Sequence, residues 1–159
     1  MASAQLLEWI GAWPGAVLLR GSGTAWLLVD AAHILGVGLL VGAIMPLDLR
    51  LLGLFRAPPL ALIAPFLSRA AAAGAALAFV TGLWLFSMKP AEYLANNAFL
   101  WKAALLALAL ANVAMQHANR SYAQALAGGT VRLTVRLAAL GSILMWLSVL
   151  VAGRWIGFV

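Results

Sequence analysis

The sequence contains no cysteine. Disulfides, thiolate metal centres and iron–sulfur clusters are therefore excluded as a source of stability or chemistry. Charge is scarce as well: charged residues are 9% of the chain and only 4 of them are acidic, where soluble domains carry about a quarter. The ordinary acid–base constellations have little to be built from. There is no HExxH zinc motif, no glycine-rich phosphate loop, and no Ser-His-Asp set that would share one depth. What the 159 residues do have is apolar bulk, 65% of the chain at a mean hydropathy of +1.03. That composition describes an all-α integral membrane protein, with its apolar surface buried in lipid and between helices.

Four stretches approach the roughly 20 apolar residues that a bilayer core requires. They run over about 24–46, 64–88, 98–117 and 133–153, and predict a four-helix bundle in a single membrane domain, 1–159. The connections carry breakers: "DLRLLGLFRAPPLAL", "KPAEYLANNA" and "ANRSYAQALAGGTVR". Residues 1–22 are too short a run to cross, and Trp9 and Trp13 stand at i, i+4, so a short amphipathic helix lying in the membrane interface is expected there. No basic region precedes the first apolar residues, and no cleavable leader is expected.

Two residue classes orient the bundle. Arg50, Arg56, Arg69, Arg120, Arg132 and Arg136 flank one side, while Trp9, Trp13, Trp26, Trp84, Trp101, Trp146 and Trp155 fall in the half that carries the termini. The positive-inside rule makes the arginine side cytoplasmic and both termini periplasmic, in a bacterial inner membrane. The net charge of +6 belongs to this pattern and to anionic lipid rather than to nucleic acid. Small residues set the packing: Gly38 and Gly42 form a small-xxx-small pair, and "RAAAAGAALAF" gives the second span a bare face.

Within the first span, Asp30 and His33 lie roughly 9 Å and 13 Å below the tryptophan-side surface, on one face of the helix. An unpaired charge at that depth costs a few kcal/mol or more, which directs both groups into the bundle. One outcome is a structural Asp30–Lys102 pair; the other is a site. The second histidine, His117, falls about 28 Å down, too deep to share a haem with His33 even in a tilted bundle. Met145, at roughly 12 Å, is level with His33 by the same count. His33 and Met145 are then a candidate haem pair with Lys102, Arg20 and Arg154 at the propionate rim, and Asp30 with His33 a candidate metal pair. Asp48 and Arg50 form a possible second polar cluster with Asn112 and His117 at the arginine end, which would permit a proton or ion path.

The order of "AHILGVGLLVGAIMPLDLRLLG", "TGLWLF" with "KPAEYLANNAFLWK", "ANVAMQH" and "AGRWIGF" resembles a family of small bacterial four-helix membrane proteins with no assigned function. That family is distantly similar to copper-resistance protein D and to b-type cytochrome bundles. The resemblance covers nearly the whole chain, with Asp30, His33, Asp48, Arg50, Lys102, Asn112, His117 and Arg154 matching its polar positions, and the larger groups imply a membrane redox or metal-handling role. Three readings follow. The favoured one is a b-type haem held by His33 near the periplasmic side for electron transfer, with quinone or a redox protein as partner. The others are copper or another ion handled by Asp30, His33 and methionine, and a cofactor-free accessory subunit. A homo-oligomer or a larger membrane complex is compatible with each.

Overall fold

The structure, a computed structural model, describes residues 2–158; Met1 and Val159, the ends of the expected domain, lie outside the described residues. Helices follow in the order α1 (Ala2–Ala12), α2 (Pro14–Gly21), α3 (Gly23–Leu52), α4 (Leu60–Phe86), α5 (Pro90–Ala95), α6 (Asn97–Ala118), α7 (Arg120–Leu126) and α8 (Leu133–Trp155), with a 3-10 turn at Ile156–Phe158. No strand occurs among the described residues. The expected bundle is present: α3, α4, α6 and α8 are each long and apolar enough to cross a membrane. α3 packs on α4 and on α8, and α8 packs on α6.

The first span is longer than its sequence suggests. Pro46 and the "DLRLL" segment were expected to begin a turn, yet the helix passes through Pro46 and stops only at Gly53, which takes the left-handed φ of +89°. Proline inside a membrane helix is tolerated because neighbouring helices support the freed backbone. The stop needs glycine, whose N–H caps the carbonyls of Leu49 and Arg50 in a conformation that a Cβ disfavours. α4 likewise starts four residues early and carries Pro65 within it.

Backbone contact between α3 and α4 occurs at Gly36 and Gly74. A Cβ on Gly36 would lie 2.6 Å from the Ala78 nitrogen, and one on Gly74 would lie 2.5 Å from the Leu40 nitrogen. The bare face of α4 is therefore used as expected. The Gly38–Gly42 pair is not: both residues are exposed with nothing within 4 Å of a built Cβ. Two residues of shift turn a helical position through roughly 200°, so Gly36 faces the partner and Gly38 faces away.

Two apolar layers fill the bundle. Leu40, Ala43, Ala71, Ala109 and Trp146 make the middle one, and Leu47, Leu51, Leu60, Ala64, Tyr122, Val135 and Ala139 make the one at the arginine-rich end. Trp146 is thus a core residue, 3% exposed, and not an interfacial anchor like Trp9 or Trp101. At the tryptophan-rich end, polar contacts and short helices do the joining. The lead-in breaks at Trp13–Pro14 into two helices, so Trp9 and Trp13 do not share one helix face. Trp13 donates to Ser87 Oγ at 2.8 Å, Trp84 Nε1 donates to the Gly15 carbonyl at 2.9 Å, and the two indoles are 6.0 Å apart. The lead-in is thereby docked on the end of α4, with Ala16 and Leu19 buried.

α6 begins at Asn96, whose side chain accepts from the backbone N–H groups of Ala98 and Phe99. Asn96→Ala is expected to cost about 1 kcal/mol through loss of this cap. A lowered thermal midpoint in detergent, measured by circular dichroism, checks it.

Candidate functional site

His33 is held by α4. Its Nδ1 lies 2.9 Å from the Ala78 carbonyl oxygen and 3.1 Å from Thr81 Oγ1. A carbonyl only accepts, so Nδ1 carries the proton. The Thr81 hydroxyl donates to the Leu77 carbonyl at 2.6 Å, which leaves its oxygen to accept the second branch from the imidazole. Gly82 makes room for the ring, since a Cβ there would lie 3.0 Å from His33 Cε1. In the neutral ring Nε2 then keeps its lone pair, and it has no hydrogen-bond partner among the described residues.

Two charges act on this ring, Lys102 from α6 and Asp30 from one turn earlier in α3. The expected Asp30–Lys102 pair does not form: among the described residues the ion pair is Lys89–Glu92, on the surface near α5. The Lys102 stem instead lies along α8, with Cε and Nζ each 3.4 Å from a Cβ built on Gly153. Asp30 acts on Tyr93, a residue that the sequence reading passed over. Burial raises the Tyr93 phenol above its ordinary value, and the Asp30 charge raises it further against a smaller opposing effect of Lys89. Tyr93 also closes a three-ring cluster with Phe86 and Phe99, whose rings stack 5.4 Å apart.

This proximity has a direct check. The chain has 2 tyrosines, so in a Tyr122→Phe background the phenolate absorbance reports Tyr93 alone. A nearby carboxylate disfavours phenolate, so Asp30→Asn should lower the Tyr93 midpoint while burial keeps it above the free value. An unmoved titration would separate Asp30 from Tyr93.

The other residues expected at a haem are not assembled round His33. Arg20 donates to the backbone carbonyls of Met88 and Gly11, tying the lead-in to the α4–α5 loop. Arg154 lies over the Phe158 ring at 4.8 Å. Met145 packs against the Leu40–Ala43–Trp146 layer, with its methyl 3.5 Å from a Cβ built on Gly141 of its own helix. Leu40 and Ala43 follow His33 by seven and ten residues, which sets Met145 roughly 10–15 Å nearer the arginine end. Counting depth from helix ends had made the two level; the count failed because α3 and α8 overhang the bundle by different amounts. What remains of the expected set is a histidine with the pinned N–H and free Nε2 of a ligating imidazole, and Lys102. For a metal, no three His, Cys, Asp or Glu side chains converge among the described residues, which leaves Asp30 and His33 short of a full donor set.

Toward the arginine end a second group of polar side chains is buried along α8. Asn112 Nδ2 donates to the Ala138 carbonyl at 3.0 Å, Gln116 Nε2 lies 3.5 Å from the Val135 carbonyl oxygen, and Ser142 hydrogen-bonds Asp48. Asp48 and Asn112 were expected together here. Arg50 and His117 were too, but Arg50 turns to the carbonyls of Pro58 and Arg56, and His117 is exposed against the Tyr122 ring. Gln116 and Ser142 were missed, although Gln116 stands four residues after Asn112 on the same apolar helix.

A cleft of about 440 Å³ opens on the outer face of α6 and α8. Trp101, Leu144, Leu147, Ser148, Val151 and Trp155 line it, and Ala152 in its wall adjoins the Gly153 that carries the Lys102 stem. Its size is that of a small-ligand pocket and its lining is apolar.

Fold and site together define a four-span helical membrane protein with a polar site at its tryptophan-rich end. The chain belongs to the family described as "Family of unknown function (DUF6644)", whose model matches residues 4–159. No curated protein and no solved structure matches it. The likeness to copper-resistance protein D and the b-type cytochromes gains no support from these comparisons.

Proposed function

We propose that this protein binds a lipid-soluble redox carrier of the quinone class at its tryptophan-rich end, with the ring between His33 and Lys102 and the tail in the α6–α8 cleft. The observation that carries this reading is the fixed direction of the imidazole: with the Nδ1 proton given to Ala78, the neutral ring can only accept at Nε2. The fitting ligand therefore offers a hydroxyl to His33 and an oxygen acceptor to the Lys102 ammonium, which the quinol form does with its two hydroxyl groups. A membrane-soluble tail reaches the cleft directly from the bilayer. In this reading the tryptophan-rich end faces the periplasm of a bacterial inner membrane, as the arginine distribution expects, and a redox protein takes the electrons.

Titrating protein in nanodiscs with a hydroquinone bearing a short alkyl tail, kept reduced, tests the proposal, because Trp101 and Trp155 line the cleft. Saturable quenching of tryptophan fluorescence is expected, at least ten-fold weaker in Lys102→Met. Quenching that rises linearly without saturation, and equally in both proteins, would rule out a site.

One observation favours a second reading, a b-type haem on His33: a pinned Nδ1–H with a free Nε2 is the state that ligates iron. Purified protein, expressed with haem precursor, would then show reduced α and Soret bands that His33→Ala removes.

A further inference from the structure

Asp48 is an acid that the proposed quinone site does not use. It is 5% exposed, and Oδ2 has no hydrogen-bond partner. No cation stands within ion-pair range of it among the described residues. The groups that could have supplied one face elsewhere. On its own helix Arg50 is engaged by the Pro58 and Arg56 carbonyls; from α8, Arg136 reaches Gly53, while Arg132 is exposed; Arg69 of α4 and Arg120 of α7 are exposed. From α6, His117 stands outside against Tyr122. From α7, Tyr122 senses the Asp48 charge, but its hydroxyl bonds Ser68 and it is neutral. An ionised carboxylate in such a place would lack both a counter-charge and half of its hydrogen bonds, whereas a carboxylic acid carries no charge to solvate.

The surroundings point to a route. Along the buried face of α8, Val135, Ala138 and Ser142 meet Gln116, Asn112 and Asp48 in turn, a polar stripe of about 10 Å that starts at the arginine end. Gln116 Oε1 is itself buried without a partner, and so is Trp146 Nε1 one turn beyond Ser142. Unpartnered buried acceptors and donors in line are where internal water binds, each water making about three hydrogen bonds. Past Trp146 the layer of Leu40, Ala43, Ala71 and Ala109 closes the way to His33.

We propose that Asp48 is a proton-binding site inside the membrane, loaded and emptied only from the arginine-rich end through the Gln116–Asn112–Ser142 stripe. A hydronium ion at that end gives its proton through stripe water to the carboxylate, leaving water and a neutral Asp48 acid; release reverses the step. No electron moves, so the site stands apart from any redox chemistry at His33.

Infrared spectroscopy of the full chain in nanodiscs tests this. At neutral pH a carboxylic-acid C=O band is expected in the wild type, lost in Asp48→Asn, shifted in Ser142→Ala and retained in Asp30→Asn. The band should shift on transfer to D2O and bleach in an alkaline bath. Gln116→Leu, which interrupts the stripe, should slow the D2O shift at least ten-fold. Ser142→Ala keeps the assignment testable if Asp48→Asn fails to fold. A wild type without the band overturns the proposal, as does a band that neither exchanges nor bleaches; unchanged exchange in Gln116→Leu overturns the stripe as its route.

Discussion

Gly74→Ala lowers stability by about 1–3 kcal/mol, whereas Gly38→Ala changes it little or raises it slightly. Both changes add one methyl group to a membrane helix, and both improve helix propensity. Their signs differ because a Cβ at Gly74 falls 2.5 Å from the Leu40 nitrogen and 2.8 Å from the Gly36 oxygen, while a Cβ at Gly38 meets nothing. Backbone atoms cannot swing aside as a side-chain end can, so α3 and α4 must move apart and give up dispersion contacts along their seam. Gly74→Val should exceed the alanine effect, since its branched side chain has only that seam to enter. Thermal unfolding in detergent, followed by circular dichroism and size exclusion, reads the difference. Equal midpoints for Gly74→Ala and the wild type would mean that the helices do not cross there.

The second large effect falls on the site. His33→Ala is expected to weaken binding of the quinol probe at least ten-fold, about 1.4 kcal/mol or more. Gly82→Val should approach that loss without touching the histidine, because even its Cβ would lie 3.0 Å from the ring carbon and 3.4 Å from Nδ1. The ring must then give way by a few tenths of an ångström for the Cβ alone, which lengthens its hydrogen bond to α4. Thr81→Val removes one of the two acceptors at Nδ1 and keeps the Ala78 carbonyl, so a smaller loss is expected. A Gly82→Val protein that binds as the wild type does would show that ring placement is immaterial to the ligand.

Length and apolar content were enough to find the spans, because lipid imposes a minimum run on any helix that crosses it. Helix ends were less legible. Pro46 reads as a stop in sequence but is carried through by packing, and the true stop, Gly53, is visible only as a left-handed residue after the last turn. His33 stood out as a lone imidazole in an apolar segment, and α4 does give it fixed partners. Those partners were hidden, since one is a backbone carbonyl, one a threonine and one the absence of a side chain at Gly82. The supposed level between His33 and Met145 shows the limit of counting along separate helices. Rise per residue is fixed, but the offset between helices is set by packing such as the layer that holds Leu40, Ala43 and Trp146, which sequence does not display. Asp48 and Asn112 were recoverable as polar residues in apolar helices; Arg50 and His117 were misplaced because long or terminal side chains can turn to loops and solvent instead.

Nitrogen-15 NMR of the two histidine side chains in bilayers tests the central claim most directly, with His117→Gln assigning the signals. The account predicts that at neutral pH His33 Nδ1 is protonated and hydrogen-bonded while Nε2 is unprotonated, and that the quinol probe shifts Nε2 alone. A proton on Nε2 in the ligand-free protein would leave no lone pair there, and would contradict the site as described.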